Sequence, residues 1–257
     1  MDAIIDLARG VQHWRTSYAM GVRDIELRYK RSLLGPFWIS ASLVASILAL
    51  SYLFSSIFKQ EFLVYTTWLS SGLVVWTLLQ TMVGEACGAL VEHGPYLQNV
   101  PMPLSVIALR VAIRNGVVFL HNFVAVAIVM VLMGAKLYWT VVMVVPGAAL
   151  VLFFGFCLTL AIGPACARFR DIPQVVTSMM QILFFVTPII WMPHQAARPA
   201  LTDSNPLYHL IELVRAPMLG HFPSELNWTV SLVVCAGMAV LALISVSLTR
   251  KRVALWL

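Results

Sequence analysis

The chain has 257 residues, of which 60% are hydrophobic and only 11% charged, with a mean hydropathy of +0.87. A soluble domain carries about 25% charged residues, so this composition excludes an ordinary soluble domain and places the chain among integral membrane proteins. The net charge of +6 does not mark a nucleic-acid binder, because the cations flank apolar runs instead of covering one solvated face.

The N-terminus, MDAIIDLARGVQHW, is acidic and lacks an uninterrupted apolar core, so no cleaved signal peptide is expected. Val11, Trp14, Tyr18, Val22, Ile25 and Tyr29 then recur at spacings of 3 and 4, with Arg15, Arg23, Glu26 and Lys30 off the stripe. This pattern predicts one basic amphipathic helix lying in the membrane interface plane. In RYKRSLLGPFW, residues 28–38, Gly35 is placed to end that helix and Pro36 to start the next.

A hydrocarbon core of about 30 Å needs about 20 apolar residues in a helix. Six segments qualify: Leu33–Phe58, Phe62–Val83, Gly116–Ala135, Leu137–Ala167, Ile172–Pro193 and Trp228–Thr249. The third extends back to about Leu104, and Pro146 predicts a kink or tilt in the fourth. With the N-terminus inside, eleven Lys and Arg (residues 9, 15, 23, 28, 30, 31, 168, 170, 250, 251 and 252) fall on the cytoplasmic side. Only Lys59, Lys136, Arg198 and Arg215 fall outside. That asymmetry predicts that both termini are cytoplasmic.

Polar residues within spans are costly and therefore informative. Arg110, Arg114 and His121 lie within reach of one face of the third span, with Asn115 and Asn122 beside them. Arg110 can snorkel to the headgroups, whereas His121 and Asn122 are too deep and are expected to bond neighbouring helices or to touch cargo. On the second span Tyr65, Trp68, Gly72 and Trp76 share a face. Tyr65 and Trp68 fit an interfacial belt. Trp76 is about 12 Å deeper than Trp68, which suits helix packing or contact with a sugar or lipid. The inner connection Glu92–Ser105 holds three prolines and no Lys or Arg, and the outer segment Met192–Asn227 is long for a loop. Within it Asn205-Pro206 opens a short apolar stripe on which Glu212 and Arg215 can form a partly exposed pair, after a break at Thr187-Pro188. Such a helix would re-enter the membrane or lie on the outer leaflet.

The four cysteines form no CxxC pair and read as small buried hydrophobes, with no metal site. No phosphate-binding GxxxxGK[ST], HExxH or GxSxG motif occurs, so energy from a nucleotide would have to enter through a partner.

Taken together, LRYKRSLLGPFW, LQNVPMPLSV followed by RVAIRN and HN, ARFRDIPQVV, FFVTPIIW and NPLYHLIELVRAPMLG resemble the permease subunit of bacterial polysaccharide ABC exporters, O-antigen type, of the second ABC export class. The match runs in order from about residue 14 to 220. The resemblance implies an all-α integral membrane fold in one transmembrane domain. Residues 9–32 would form the interface helix, 33–193 five spans, 194–227 short re-entrant periplasmic gate helices, 228–249 the sixth span and 250–257 a cytoplasmic tail. It implies a homodimer paired with two copies of a separate ATPase, which would bind the ATP and Mg, leaving no cofactor in this chain. The cargo implied is a polysaccharide on an undecaprenyl pyrophosphate carrier, crossing the bacterial inner membrane among its lipids, with no nucleic acid involved. Contact with the ATPase would fall on Arg15, Arg23, Arg28, Lys30, Glu92, His93, Pro95, Tyr96 and Pro101. The gate would include Pro188, Tyr208, Glu212 and Arg215, and the channel Tyr52, Trp68, Trp76 and Trp191. Capsular polysaccharide and teichoic acid are the alternative cargoes. A membrane glycosyl- or acyltransferase would want clustered acids or histidines, and Glu61, Glu85, His93 and Asp171 are scattered along the chain.

Overall fold

The computed structural model describes residues 2–30, 35, 37–94, 97, 102–136, 138–193, 200–250 and 252–256, and these are helices and their connections. Two helices, α1 (Asp2–Gln12) and α2 (Trp14–Tyr29), precede the first long apolar one. There follow α3 (Phe37–Ile57), α4 (Phe62–Glu92), α5 (Leu104–Leu132), a 3₁₀ turn Trp139–Met143 running into α6 (Val144–Arg168), and α7 (Ile172–Val186). A single turn Ala200–Asp203, then α8 (Pro206–Met218) and α9 (Glu225–Thr249), complete the fold.

Five of these helices are long and apolar enough to cross a membrane: α3, α4, α5, α6 with its 3₁₀ entry, and α9. The expected fifth span, Ile172–Pro193, is not one continuous helix. α7 has 15 residues, about 22 Å, and stops where Pro188 disfavours a helical residue before it. The chain then turns, with Thr187, Pro188 and Ile189 buried. Tyr65, near the first turn of α4, donates to the Ile190 carbonyl at 2.6 Å. At the other end of α4, Leu90 packs beside Gly163 in the last turns of α6, the helix that leads into α7.

α4 is the central helix. Its 31 residues reach about 46 Å, past the expected end at Val83, and it packs on α3, α5, α6, α7 and α8. Tyr65 and Trp76 are buried in it, so Tyr65 is a core residue and not an interfacial belt. Pro146 lies in the first turn of α6, just past the 3₁₀ turn, where its missing N–H costs no α-helical bond. Pro164 is the proline inside α6.

The amphipathic segment is corrected in one respect: it is two helices broken at His13 and not one. Trp14 and Tyr18 of its stripe face away from the bundle, each 51% exposed. The face that packs inward carries Ala3, Asp6, Gly10, Ser17 and Gly21. A Cβ on Gly10 would stand 2.2 Å from Ser105 Oγ, and one on Gly21 would stand 3.2 Å from the Arg110 carbonyl. Small residues thus let α1 and α2 approach the start of α5 closely, and Ser17 donates to the Val106 carbonyl at 3.1 Å.

Candidate functional site

α3, α4 and α7 frame a cleft of about 510 Å³ on an open face of the apolar bundle. α3 contributes Ser42 and Ser46, α4 contributes Trp76, Thr77 and Gln80, and α5 adds Asn122. Gln181, Phe184 and Phe185 come from α7. The Trp76 and Phe184 ring centres lie 5.5 Å apart with their planes inclined at 47°, an aromatic pair on the cleft wall. Ser42, Ser46, Gln80 and Gln181 are exposed on the surface of the single chain, and among the described residues none that lines the cleft is charged. Ser40 closes its α3–α5 edge: its hydroxyl donates to Asn122 Oδ1 at 2.7 Å and lies 2.6 Å from His121 Nδ1. His121 and Asn122 therefore bond a neighbouring helix.

A second cluster joins α4, α8 and the turn after α7. Asn205 caps α8, accepting from the Leu207 and Tyr208 N–H groups, and its own amide donates to Thr187 Oγ1 at 2.9 Å. Along α8, His209 to Met218 are all buried. Arg215 is fully buried; its Nη1 donates to Glu212 Oε1 at 3.0 Å and to the Pro188 carbonyl at 2.8 Å. Its guanidinium carbon lies 4.1 Å from the Trp68 ring centre, a desolvated cation–π contact. Glu212 and Arg215 do pair, but inside the protein and not at the expected partly exposed surface.

A third cluster ties α2 to the bundle. Asp24 accepts from Arg110 Nε at 2.6 Å and from Arg114 Nη1 at 3.3 Å, while Glu85 on α4 takes Arg114 Nη2 at 2.7 Å and the Asn115 amide. All four charged side chains are mostly buried. Arg110 does not snorkel. It is neutralised by the Asp24 carboxylate on α2, the arrangement that makes a desolvated charge tolerable. His93, just beyond α4, is buried, which pushes its imidazole below the ordinary value, and its Nδ1 donates to the Ala89 carbonyl at 2.7 Å.

Residues 16–219 match the family model for the ABC-2 type transporter, well over half of the chain. The chain belongs to the ABC-2 type transporter family. It is 25% identical over 207 residues to the O-antigen export system permease protein RfbA of Myxococcus xanthus, covering 77% of this chain and 78% of that protein. A Klebsiella pneumoniae protein of the same name is 22% identical over 173 residues, 66% of each chain, and a second from that organism is 21% identical over the same length.

Within this ABC-2 type chain the expected channel aromatics do not form one group. Trp76 lines the cleft, Trp68 stacks on Arg215, and Trp191 donates from Nε1 to the Phe185 carbonyl at 3.0 Å. Tyr52 is 80% exposed on the outside of α3 and lines none of the cleft. Pro188, Glu212 and Arg215 converge, with Tyr208 half-buried one turn away. Arg15 lies beside the Trp14 ring, Arg23 pairs with Glu26 at 3.0 Å, and Lys30 and Glu92 are exposed. Pro95, Tyr96, Pro101 and the Arg28 side chain lie outside the described residues. Sequence reasoning missed Asp24 and the polar cleft positions Ser42, Thr77, Gln80 and Gln181. The cleft amides were visible as polar residues within apolar spans, whereas nothing local distinguishes Asp24 from its charged neighbours.

Proposed function

We propose that this chain is the channel-forming permease subunit of an ATP-driven exporter of lipid-linked polysaccharide, an O-antigen-like glycan on undecaprenyl pyrophosphate. The cleft between α3, α4 and α7 carries the proposal. A glycan has no hydrophobic tail along its length, so its path through a bilayer needs hydroxyl and amide partners, and every repeat must pass without being gripped. Ser42, Ser46, Thr77, Gln80 and Gln181 offer neutral hydrogen bonds, the Trp76 and Phe184 rings offer aromatic contact to the CH-rich faces of sugars, and no charge among the described lining residues holds a repeat. The cleft is open on one side of the chain, and a second copy closes it in a homodimer. The names of the relatives support the same cargo class.

In this reading α7 and the turn to Ile190 make the sixth crossing, since that stretch runs from the Leu90 end of α4 to its Tyr65 end. Six crossings put both termini on the cytoplasmic side of the inner membrane, in keeping with the Lys and Arg asymmetry. α8, held to α4 and to Pro188 through Arg215, acts as the outer gate. Two copies of a separate ATPase bind ATP and Mg and push on α2 and on the connection after Glu92. The test is Trp76→Leu, which keeps apolar volume but removes the flat ring, alongside Gln80→Leu. Both variants are expected to assemble with the ATPase while lipid-linked polymer accumulates inside the cell. Full export in both would reject the cleft as the path.

A further inference from the structure

α1 presents three faces. Ala3, Asp6 and Gly10 pack inward, Ile4 and Val11 are exposed apolar side chains (66% and 69%), and Arg9, Gln12 and His13 form an exposed polar side. Such a helix sits with its apolar face at the boundary of headgroups and acyl chains, and at about 10 Å across its polar side stands at the level of the headgroup phosphates. On that polar side lies a cavity of about 420 Å³, closed by Leu97, Met102, Pro103 and Leu104 and by the residues that follow α9, Arg250 and Val253.

The described lining is basic. Arg9, His13 and Arg250 line the cavity with the Gln12 amide, and no carboxylate does among the described residues. The acid beneath it, Asp6, is fully buried and already engaged. Its oxygens accept from the Leu104 and Ser105 N–H groups at 3.2 and 3.0 Å, and Oδ2 meets Arg250 Nε at 3.4 Å. Asp6 thereby caps α5 from another helix and fixes Arg250 at the cavity wall, while Arg9 makes no ion pair among the described residues. Donors converging from α1 and from the end of α9 suit an anion with several oxygens spread about one centre.

We infer that this cavity between α1, the start of α5 and the end of α9 is a binding site for a phosphate group, supplied by an anionic phospholipid headgroup or by free phosphate. The inference rests on the membrane reading of the fold but not on the cargo, so a failure of export assays leaves it standing. The test uses the full chain in detergent and follows retention of phosphatidylglycerol by native mass spectrometry, with phosphatidylcholine of the same acyl chains as reference. Phosphatidylglycerol is expected to be retained about fivefold better per engaged cation. Arg9→Gln with His13→Gln is expected to remove that preference, Arg9→Lys to leave part of it, and Arg23→Gln on the exposed side of α2 to leave it whole. Arg9 and His13 are exposed, so these variants retain the fold.

Displacement of phosphatidylglycerol by millimolar inorganic phosphate would support the same site with a free anion as occupant. Equal retention of both lipids with no effect of phosphate would overturn the inference. So would an equal loss in Arg23→Gln, which would mean diffuse surface charge. Displacement by a polyglutamate peptide but not by phosphate would overturn it in favour of docking by an acidic protein segment.

Discussion

Alanine in place of glycine within a helix ordinarily stabilises it by about 1 kcal/mol, yet at Gly72 the sign is expected to reverse. A Cβ there would stand 2.1 Å from Arg215 Nη2 and 3.1 Å from its Cζ, inside the normal contact distance of about 3.5 Å. The guanidinium would have to retreat, but Nη1 is held by Glu212 and the Pro188 carbonyl, and the Trp68 ring covers its face. Breaking a buried pair outright costs about 3–5 kcal/mol, because a charge is left without its partner, and a desolvated cation–π contact contributes about 2 kcal/mol. If the displacement forfeits roughly half of the two together, the loss is about 3 kcal/mol, and after the gain in helix propensity Gly72→Ala is destabilising by about 2 kcal/mol. For a chain of this size that lowers Tm by about 4–8 °C, measured by tryptophan fluorescence of the detergent-solubilised protein. Gly84→Ala is the control on the same helix: nothing lies within 4 Å of its Cβ position, so its Tm should hold or rise slightly. A Gly72→Ala variant melting at or above the parent would refute the claim that Arg215 is fixed against α4.

Asp24→Asn should free α2 from α5, because Arg110 loses its carboxylate and Arg114 keeps only Glu85; the cost is about 3 kcal/mol, and amide exchange across Trp14–Tyr29 should quicken. Unchanged exchange there would mean that the small-residue contact alone holds the helix. In a background lacking the four buried cysteines, Lys59→Cys and Lys136→Cys are expected to react with an impermeant maleimide from outside the cell. Labelling only after permeabilisation would invert the topology.

Much of the architecture was legible from local pattern. α3, α4, α5, α6 and α9 were marked by apolar length, α8 by the Asn205-Pro206 start, and the reach of α5 back to Leu104 by continuing apolar residues. Where local signals competed, the reading went astray. The stripe from Val11 to Tyr29 suggested one helix, but the chain breaks at His13, and the face that packs on the bundle is the less conspicuous run of small residues. The segment Ile172–Pro193 looked long enough for one span by hydropathy, but its helix α7 ends at Val186, where the break at Thr187-Pro188 was expected.

The sequence by itself marked this as a membrane protein and located five of its long apolar helices, because hydropathy is a sum over neighbours along the chain. Only the tertiary structure decided how its charges are neutralised. Asp24 meets Arg110 across 86 positions, and Asp6 meets the first residues of α5 across 98 and 99. Gly72 is required by Arg215, a residue on another helix. A buried charge is tolerated only when its partner arrives with suitable geometry, and that geometry is a property of the packed helices, which no local window of residues contains.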